Sequence, residues 1–166
     1  LLHEQARFAE AGDFLRAALR LDPGNALYLW LLGVALARLG QFEEAQSCLE
    51  QAVTLEPAMH EARFHLANVH SLLGRREDAV RAYAAAYAAQ PDNVAIAAAL
   101  LLEMQHVCDW SRLDELGGRL RGAVARQTEM AFAPFSLASI PATRAEQLQC
   151  GRNFAAVVAR ATARDR

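Results

Sequence analysis

Residues 25–57 read NALYLWLLGVALARLGQFEEAQSCLEQAVTLEP, and residues 59–91 read MHEARFHLANVHSLLGRREDAVRAYAAAYAAQP. The second stretch overlays the first at an offset of 34, the spacing that also separates Pro23, Pro57 and Pro91. Gly40 and Gly74 keep that offset, as do Leu32, Leu66 and Leu100, Ala45 and Ala79, Leu49 and Tyr83, and Ala52 and Ala86. A period of this length holds one helix pair, and such a pair cannot bury its apolar face alone.

Each position in the period has a physical reason. A first helix carries Leu32-Gly33 or Leu66-Ala67, where a small residue lets a second helix come close. Gly40 and Gly74 end that helix in a turn that tolerates the left-handed conformation. The second helix presents Ala45, Leu49 and Ala52, or Ala79, Tyr83 and Ala86, on one face at spacings of four and three. Proline then stops the pair, because it cannot continue the hydrogen-bond ladder. The pattern closely resembles the tetratricopeptide repeat. That resemblance implies an all-α fold, a right-handed superhelix of stacked helix pairs with a concave inner surface, followed here by a helical linker.

Composition agrees with closely packed helices. The chain of 166 residues is 54% hydrophobic and 22% charged, with five prolines and nine glycines, rich in alanine and poor in aromatics. A net charge of −2 gives no basic footprint for nucleic acid, and all 17 basic residues are arginine, a hint of a GC-rich bacterial genome. No apolar run reaches the roughly 18–20 residues that span a bilayer, so no membrane partner is expected. Cys48, Cys108 and Cys150 lie far apart without a CxxC pair, which argues against a disulfide framework and fits a reducing cytoplasm.

Three segments follow from the period: repeats over 1–93, a terminal helix pair over 94–126 and a linker over 127–166. The first 23 residues look irregular. The run LRAALRLDP at 15–23 matches a repeat end, and Gly12-Asp13-Phe14 resembles the turn Gly40-Gln41-Phe42. From turn glycine to proline the full units take 17 residues and this one takes 11, which suggests that six residues were lost from this unit or that a stretch is missing from the sequence. A third unit starts on schedule at Val94–Met104, but its turn glycine is replaced by Cys108 and no proline stands at 125. Ser111 with Asp114 reads as a capping box opening a new helix, with Leu113, Leu116, Leu120 and Val124 as its apolar stripe. Residues 127–142 read as an ordered loop carrying Met130, Phe132, Pro134, Phe135, Ile140 and Pro141. Thr143 with Glu146 makes a second capping box before a last amphipathic helix.

The run QHVCDWSRLDE at 105–115, directly after such an array, resembles the junction of O-GlcNAc transferase and SPINDLY-type glycosyltransferases. The segment APFSL at 133–137 and Glu146-Gln147-Leu148 are similar to the connecting segment of bacterial members. The resemblance implies an arm that presents protein acceptors to a UDP-sugar-dependent catalytic domain lying C-terminal to this chain. That domain is itself an expected partner. No residue here corresponds to the family's active site, and the sequence has no glycine-rich strand–helix turn for a diphosphate, so catalytic, cofactor and metal residues are expected to be absent. The alternative is a free-standing repeat scaffold or homo-oligomerisation module.

Candidate binding residues lie on the first helices: Trp30, Val34 and Arg38 in one unit, Phe64, Asn68 and Leu72 in the next. Such a strip suits an extended peptide. Packing of Trp30 and Phe64 between units competes with that role. Animal O-GlcNAc transferases carry asparagines where this chain has Leu31, His65 and Ala99, a departure from their backbone clamp. A carboxylate clamp needs several converging cations, and Arg38 stands nearly alone. His60, His65 and His70 are five apart, too far round a helix to share a metal. His106 and Cys108 lack an orienting third group for nucleophilic chemistry. At the junction formed by Cys108, Asp109 and Trp110, the indole is expected to plug the end of the array and Asp109 to accept backbone N–H groups.

Overall fold

The computed structural model describes residues 2–126 and 137–164, which contain eight helices and no strand. In chain order these are α1 (Leu2–Leu21), α2 (Ala26–Arg38), α3 (Phe42–Leu55), α4 (His60–Leu72), α5 (Arg76–Ala89), α6 (Val94–His106), α7 (Leu113–Ala125) and α8 (Arg144–Arg164). The chain divides into two compact units, Leu1–Ala89 and Gln90–Arg166. The expected loop residues Met130, Phe132, Pro134 and Phe135, and the segment APFSL up to position 136, lie outside the described residues.

The first unit holds the two full helix pairs, α2 with α3 and α4 with α5. Ala45, Leu49 and Ala52 on α3 are fully buried, as are Ala79 and Ala86 on α5. Gly33 is required at its crossing, because a Cβ there would come 2.6 Å from Leu49 Cγ and 3.2 Å from the Ala45 carbonyl oxygen. Gly40 and Gly74 adopt φ of 79° and 74°, and the amide after each reaches back into the helix it closes. Gln41 N donates to Leu36 O at 2.9 Å and Arg75 N to His70 O at 2.9 Å. Asn25 caps α2 by accepting the Tyr28 amide at 3.1 Å.

Gly12-Asp13-Phe14 is not a turn. It lies inside the unbroken α1, where Gly12 is buried against Leu32 and Asp13 pairs with Arg16 at 3.3 Å. Ala11, Leu15 and Ala18 stand 34 residues before Ala45, Leu49 and Ala52, so α1 is a complete second helix with nothing lost from it. Glycine suggested a turn, but glycine permits a left-handed φ without requiring one. Here it sits within the helix, and a Cβ on it would stand in ordinary contact with Leu32 of α2, at 3.9 Å.

In the second unit the turn expected at 108 survives without its glycine. Cys108 takes φ 57°, and Asp109 N donates to Met104 O at 2.8 Å, the bond made by Gln41 and Arg75 in the earlier turns. What changes is the step that follows. α3 and α5 start two residues after their turn glycines, whereas α7 starts five residues after Cys108. The added residues shift the register by three, so Leu116, Leu120 and Ala123 take the places of Ala45, Leu49 and Ala52, and all three are buried.

This shift corrects two expectations at the junction. Trp110 is 54% exposed and plugs nothing, because the inserted turn carries it to the surface. Ser111 does not cap α7. It sits in the turn, its amide donating to Asp109 Oδ1 at 3.0 Å, while Arg112 grips Glu115 through two bonds of 2.9 and 3.0 Å. The second capping box forms as expected: Thr143 N donates to Glu146 Oε2 at 2.7 Å and Glu146 N donates to Thr143 Oγ1 at 3.3 Å. Leu137, Ile140 and Cys150 complete the core of this unit, with Ile140 packed 3.4 Å from where a Cβ on Gly117 would stand.

Candidate peptide-binding face

One repeat translation relates α2 to α4, so the two helices run side by side in the same direction. Equivalent positions therefore form rows across them. Along α2 the residues Leu27, Leu31, Val34 and Arg38 follow each other at four, three and four, which keeps them on one stripe. The equivalent stripe on α4 is Glu61, His65, Asn68 and Leu72. Leu27, Leu31 and Leu72 are 47%, 38% and 59% exposed, an unusual concentration of bare leucine on one face.

Of the six residues expected here, Val34, Arg38, Asn68 and Leu72 lie on these stripes. Trp30 and Phe64 sit one residue away and turn into the gaps between helices. Trp30 packs against both core clusters of the unit and lies 6.0 Å, centroid to centroid, from the His65 ring. Its indole N–H is buried and has no hydrogen-bond partner among the described residues. Phe64 stands edge-on to Tyr83 at 5.9 Å and to His65 at 5.7 Å. Packing engages both rings, and each stays half-buried. Asn68 is engaged as well, its side-chain carbonyl accepting the Tyr83 hydroxyl.

Leu27 and Leu31 belong to the candidate face as well, at the spacing that leads back from Arg38 through Val34. His65 lies between Arg38 on α2 and Glu61 on α4. Burial pushes its pKa below the ordinary value, the Arg38 charge pushes it further down, and Glu61 opposes. The imidazole is therefore neutral at pH 7, and the strip between the two charges is uncharged.

The remaining titratable candidates are not brought into a catalytic or metal-binding arrangement. His70 is buried, and it floors a hollow between α3, α4 and α5 bordered by Glu50, Arg63, Asp78 and Arg81. His106 faces Glu103, Nδ1 to Oε2 at 3.7 Å, while Cys108 is exposed. Among the described residues no group of three histidine, cysteine or acidic side chains could hold a metal ion, and no helix is long and apolar enough to cross a membrane.

Paired antiparallel helices, glycine turns at a fixed period and a bare strip along the first helices define a helix-pair repeat protein of the α-α superhelix class. Two tetratricopeptide-repeat family models match the sequence, one over residues 2–53 and one over residues 30–94, and over this stretch the chain belongs to the tetratricopeptide-repeat family. Comparison with curated protein sequences gives no match. Among solved structures, a crystal structure of MamA is similar at 16% identity and a TM-score of 0.69, covering 98% of this chain and 94% of that one. A MamA RS-1 double mutant is similar at 20% identity and a TM-score of 0.65, covering 95% and 87%. YrrB, described as a TPR protein with an unusual peptide-binding site, is similar at 24% identity and a TM-score of 0.62, covering 69% of this chain and 59% of its own. At these identities the likeness establishes the fold.

Proposed function

We propose that this chain is a protein-interaction module that receives a polypeptide segment on the face made by α2 and α4. The observation that carries the reading is the concentration of exposed Leu27, Leu31 and Leu72 on the stripes of α2 and α4, with His65 among them. A strip of this kind gains from desolvation when a partner covers it, and its flanking polar groups set register. YrrB, of the same fold, supports peptide binding as a use of this scaffold. The chain works in the cytoplasm, without a resident cofactor or metal, and without nucleic acid or membrane partners. Leu31→Asp and Leu72→Asp should abolish capture of bound polypeptide while leaving the thermal midpoint within a few degrees of the native value. Unchanged capture would sink the assignment of this face.

A second reading is favoured by the junction. Residues 105–115 resemble the segment that leads from repeat array to catalytic region in bacterial O-GlcNAc-transferase and SPINDLY-like enzymes, and this segment is where the chain inserts three residues. On this reading the chain is the recognition arm of a UDP-sugar-dependent protein glycosyltransferase, with repeats over 1–93, a closing pair over 94–126 and a connection over 127–166. The arm would contribute acceptor binding and none of the chemistry. The reading frame beyond Arg166 decides it: several hundred residues of α/β pattern would support the glycosyltransferase, and a stop codon would leave the free-standing scaffold. UDP-sugar turnover by pure residues 1–166 would contradict both.

A further inference from the structure

The stripe on α2 ends in a cation and the stripe on α4 begins with an anion. Arg38 and Glu61 occupy the thirteenth position of α2 and the second of α4, diagonally opposite corners of the grid whose interior is Leu31, Val34, His65 and Asn68. Some other exposed charges of this unit are paired internally: Arg16 with Asp13 and Glu44, and Arg81 with Asp78. The side chains of Arg38 and Glu61 have no hydrogen bond or ion pair with any described residue. They cannot reach each other. Eleven positions at 1.5 Å rise give roughly 16 Å along the helices, and one interhelical spacing of about 9 Å across brings the diagonal to roughly 19 Å.

We infer that the segment received by this face is dipolar: an extended, apolar-centred peptide with a basic side chain over Glu61 and an acidic one over Arg38, about six residues apart. This inference rests on the α2–α4 face being the binding face. The spacing follows from a strand rise of roughly 3.3 Å per residue. Alternate side chains of such a strand point the same way, so apolar residues at the positions between the two charges fall on the interior of the grid, at Leu31 and Val34. A uniformly acidic segment would leave Glu61 repelled, and a uniformly basic one would leave Arg38 repelled. A chain-terminal carboxylate held by several cations is not supplied, since Arg38 is the one basic residue on the two stripes.

The test uses four end-blocked fluorescent peptides built on X-Ser-Leu-Ser-Leu-Ser-Z, with X and Z as Arg and Glu, Glu and Arg, Arg and Arg, or Glu and Glu. Fluorescence anisotropy against the native chain should show a dipolar peptide binding at least three- to fivefold more tightly than either like-charged one, the worth of one exposed ion pair. Arg38→Glu should move the preference to the Arg and Arg peptide, and Glu61→Arg to the Glu and Glu peptide. Both sites are exposed, and circular dichroism should confirm unchanged helicity. Equal binding of all four peptides, abolished by Leu31→Asp, overturns the dipolar inference and leaves the face as a peptide site. No binding of any peptide overturns both. Sedimentation of the native chain as a dimer that Leu31→Asp converts to monomer also overturns the inference, because the occupant is then a second copy.

Discussion

Gly33 lies beneath Leu49 so closely that a methyl group on it would come 2.6 Å from the Leu49 Cγ. This contact sets how near α2 and α3 approach, and so how well Ala45, Leu49 and Ala52 are sealed from water. Gly33→Ala gains about 1 kcal/mol of helix propensity but overpacks a filled crossing, at about 1–3 kcal/mol. The net result should be a loss of up to about 2 kcal/mol in urea denaturation. Gly118 is the control, since it sits inside α7 with nothing within 4 Å of where its Cβ would be. Gly118→Ala should stabilise by up to about 1 kcal/mol. Equal effects from the two substitutions would mean that helix propensity, and not the crossing, governs position 33.

Cys108 holds the left-handed turn that glycine holds at 40 and 74, and an L-residue there is strained by about 1–2 kcal/mol. Cys108→Gly should therefore raise stability by about 1 kcal/mol, after allowance for the greater freedom of glycine in the unfolded chain. Cys108→Val should lower it by more than that, because branching at Cβ worsens the same clash. Denaturant midpoints measured under reducing conditions separate the three chains. A neutral or destabilising glycine would show that the thiol makes a contact worth more than the strain.

The repeat was legible because the positions that pack helix to helix must recur when the pairs recur. Proline, glycine and the alanines at 45, 52, 79 and 86 marked them. The third pair was harder to see, since three inserted residues moved Leu116, Leu120 and Ala123 out of register. Cysteine also concealed a turn whose backbone is conserved in form. Gly12 misled for the opposite reason: a residue type that can turn does not have to. On the candidate face, Arg38 and Leu72 could be read from the sequence, whereas Trp30 and Phe64 could not be told from their neighbours. One position along a helix rotates a side chain by about 100°, enough to send it from a solvent strip into the gap between two repeats. Trp110 looked like a plug because of its size, and size says nothing about which side of an inserted turn a residue occupies.

Trp30 now carries a stability prediction in place of a binding one. Its ring touches both core clusters of the first unit and stacks near His65, although it is only half-buried. Complete burial would put the cost of truncation at about 3–5 kcal/mol, so Trp30→Ala should cost about 2 kcal/mol. Thermal melts should show the midpoint falling by several degrees. Trp30→Phe should recover much of the loss, because the buried indole N–H has no partner among the described residues to forfeit. A midpoint unchanged by Trp30→Ala would return this ring to the list of surface binding residues.

Mild acid should destabilise the first unit. Burial is the main reason that the pKa values of His65 and His70 both lie below the ordinary histidine range. At His65 the Arg38 charge adds to the depression and Glu61 opposes it. At His70, Asp78 and Glu50 pull upward while Arg75 and Arg81 pull downward. An unfolded chain takes up protons on these residues near pH 6.5, where the folded chain keeps them neutral, so stability must fall as pH drops from about 7. The loss continues until the folded pKa values are passed and then levels off. In the second unit, Asp109 and Glu146, whose carboxyl pKa values are held down by hydrogen bonds from Ser111 and Thr143, give a separate loss in a lower window, below about pH 4. His70→Gln should flatten part of the slope of melting temperature between pH 7.5 and 5, and His65→Gln should flatten a further part. A native midpoint that rises or stays level across that interval would mean that the imidazoles find water or a counter-charge that relieves their burial.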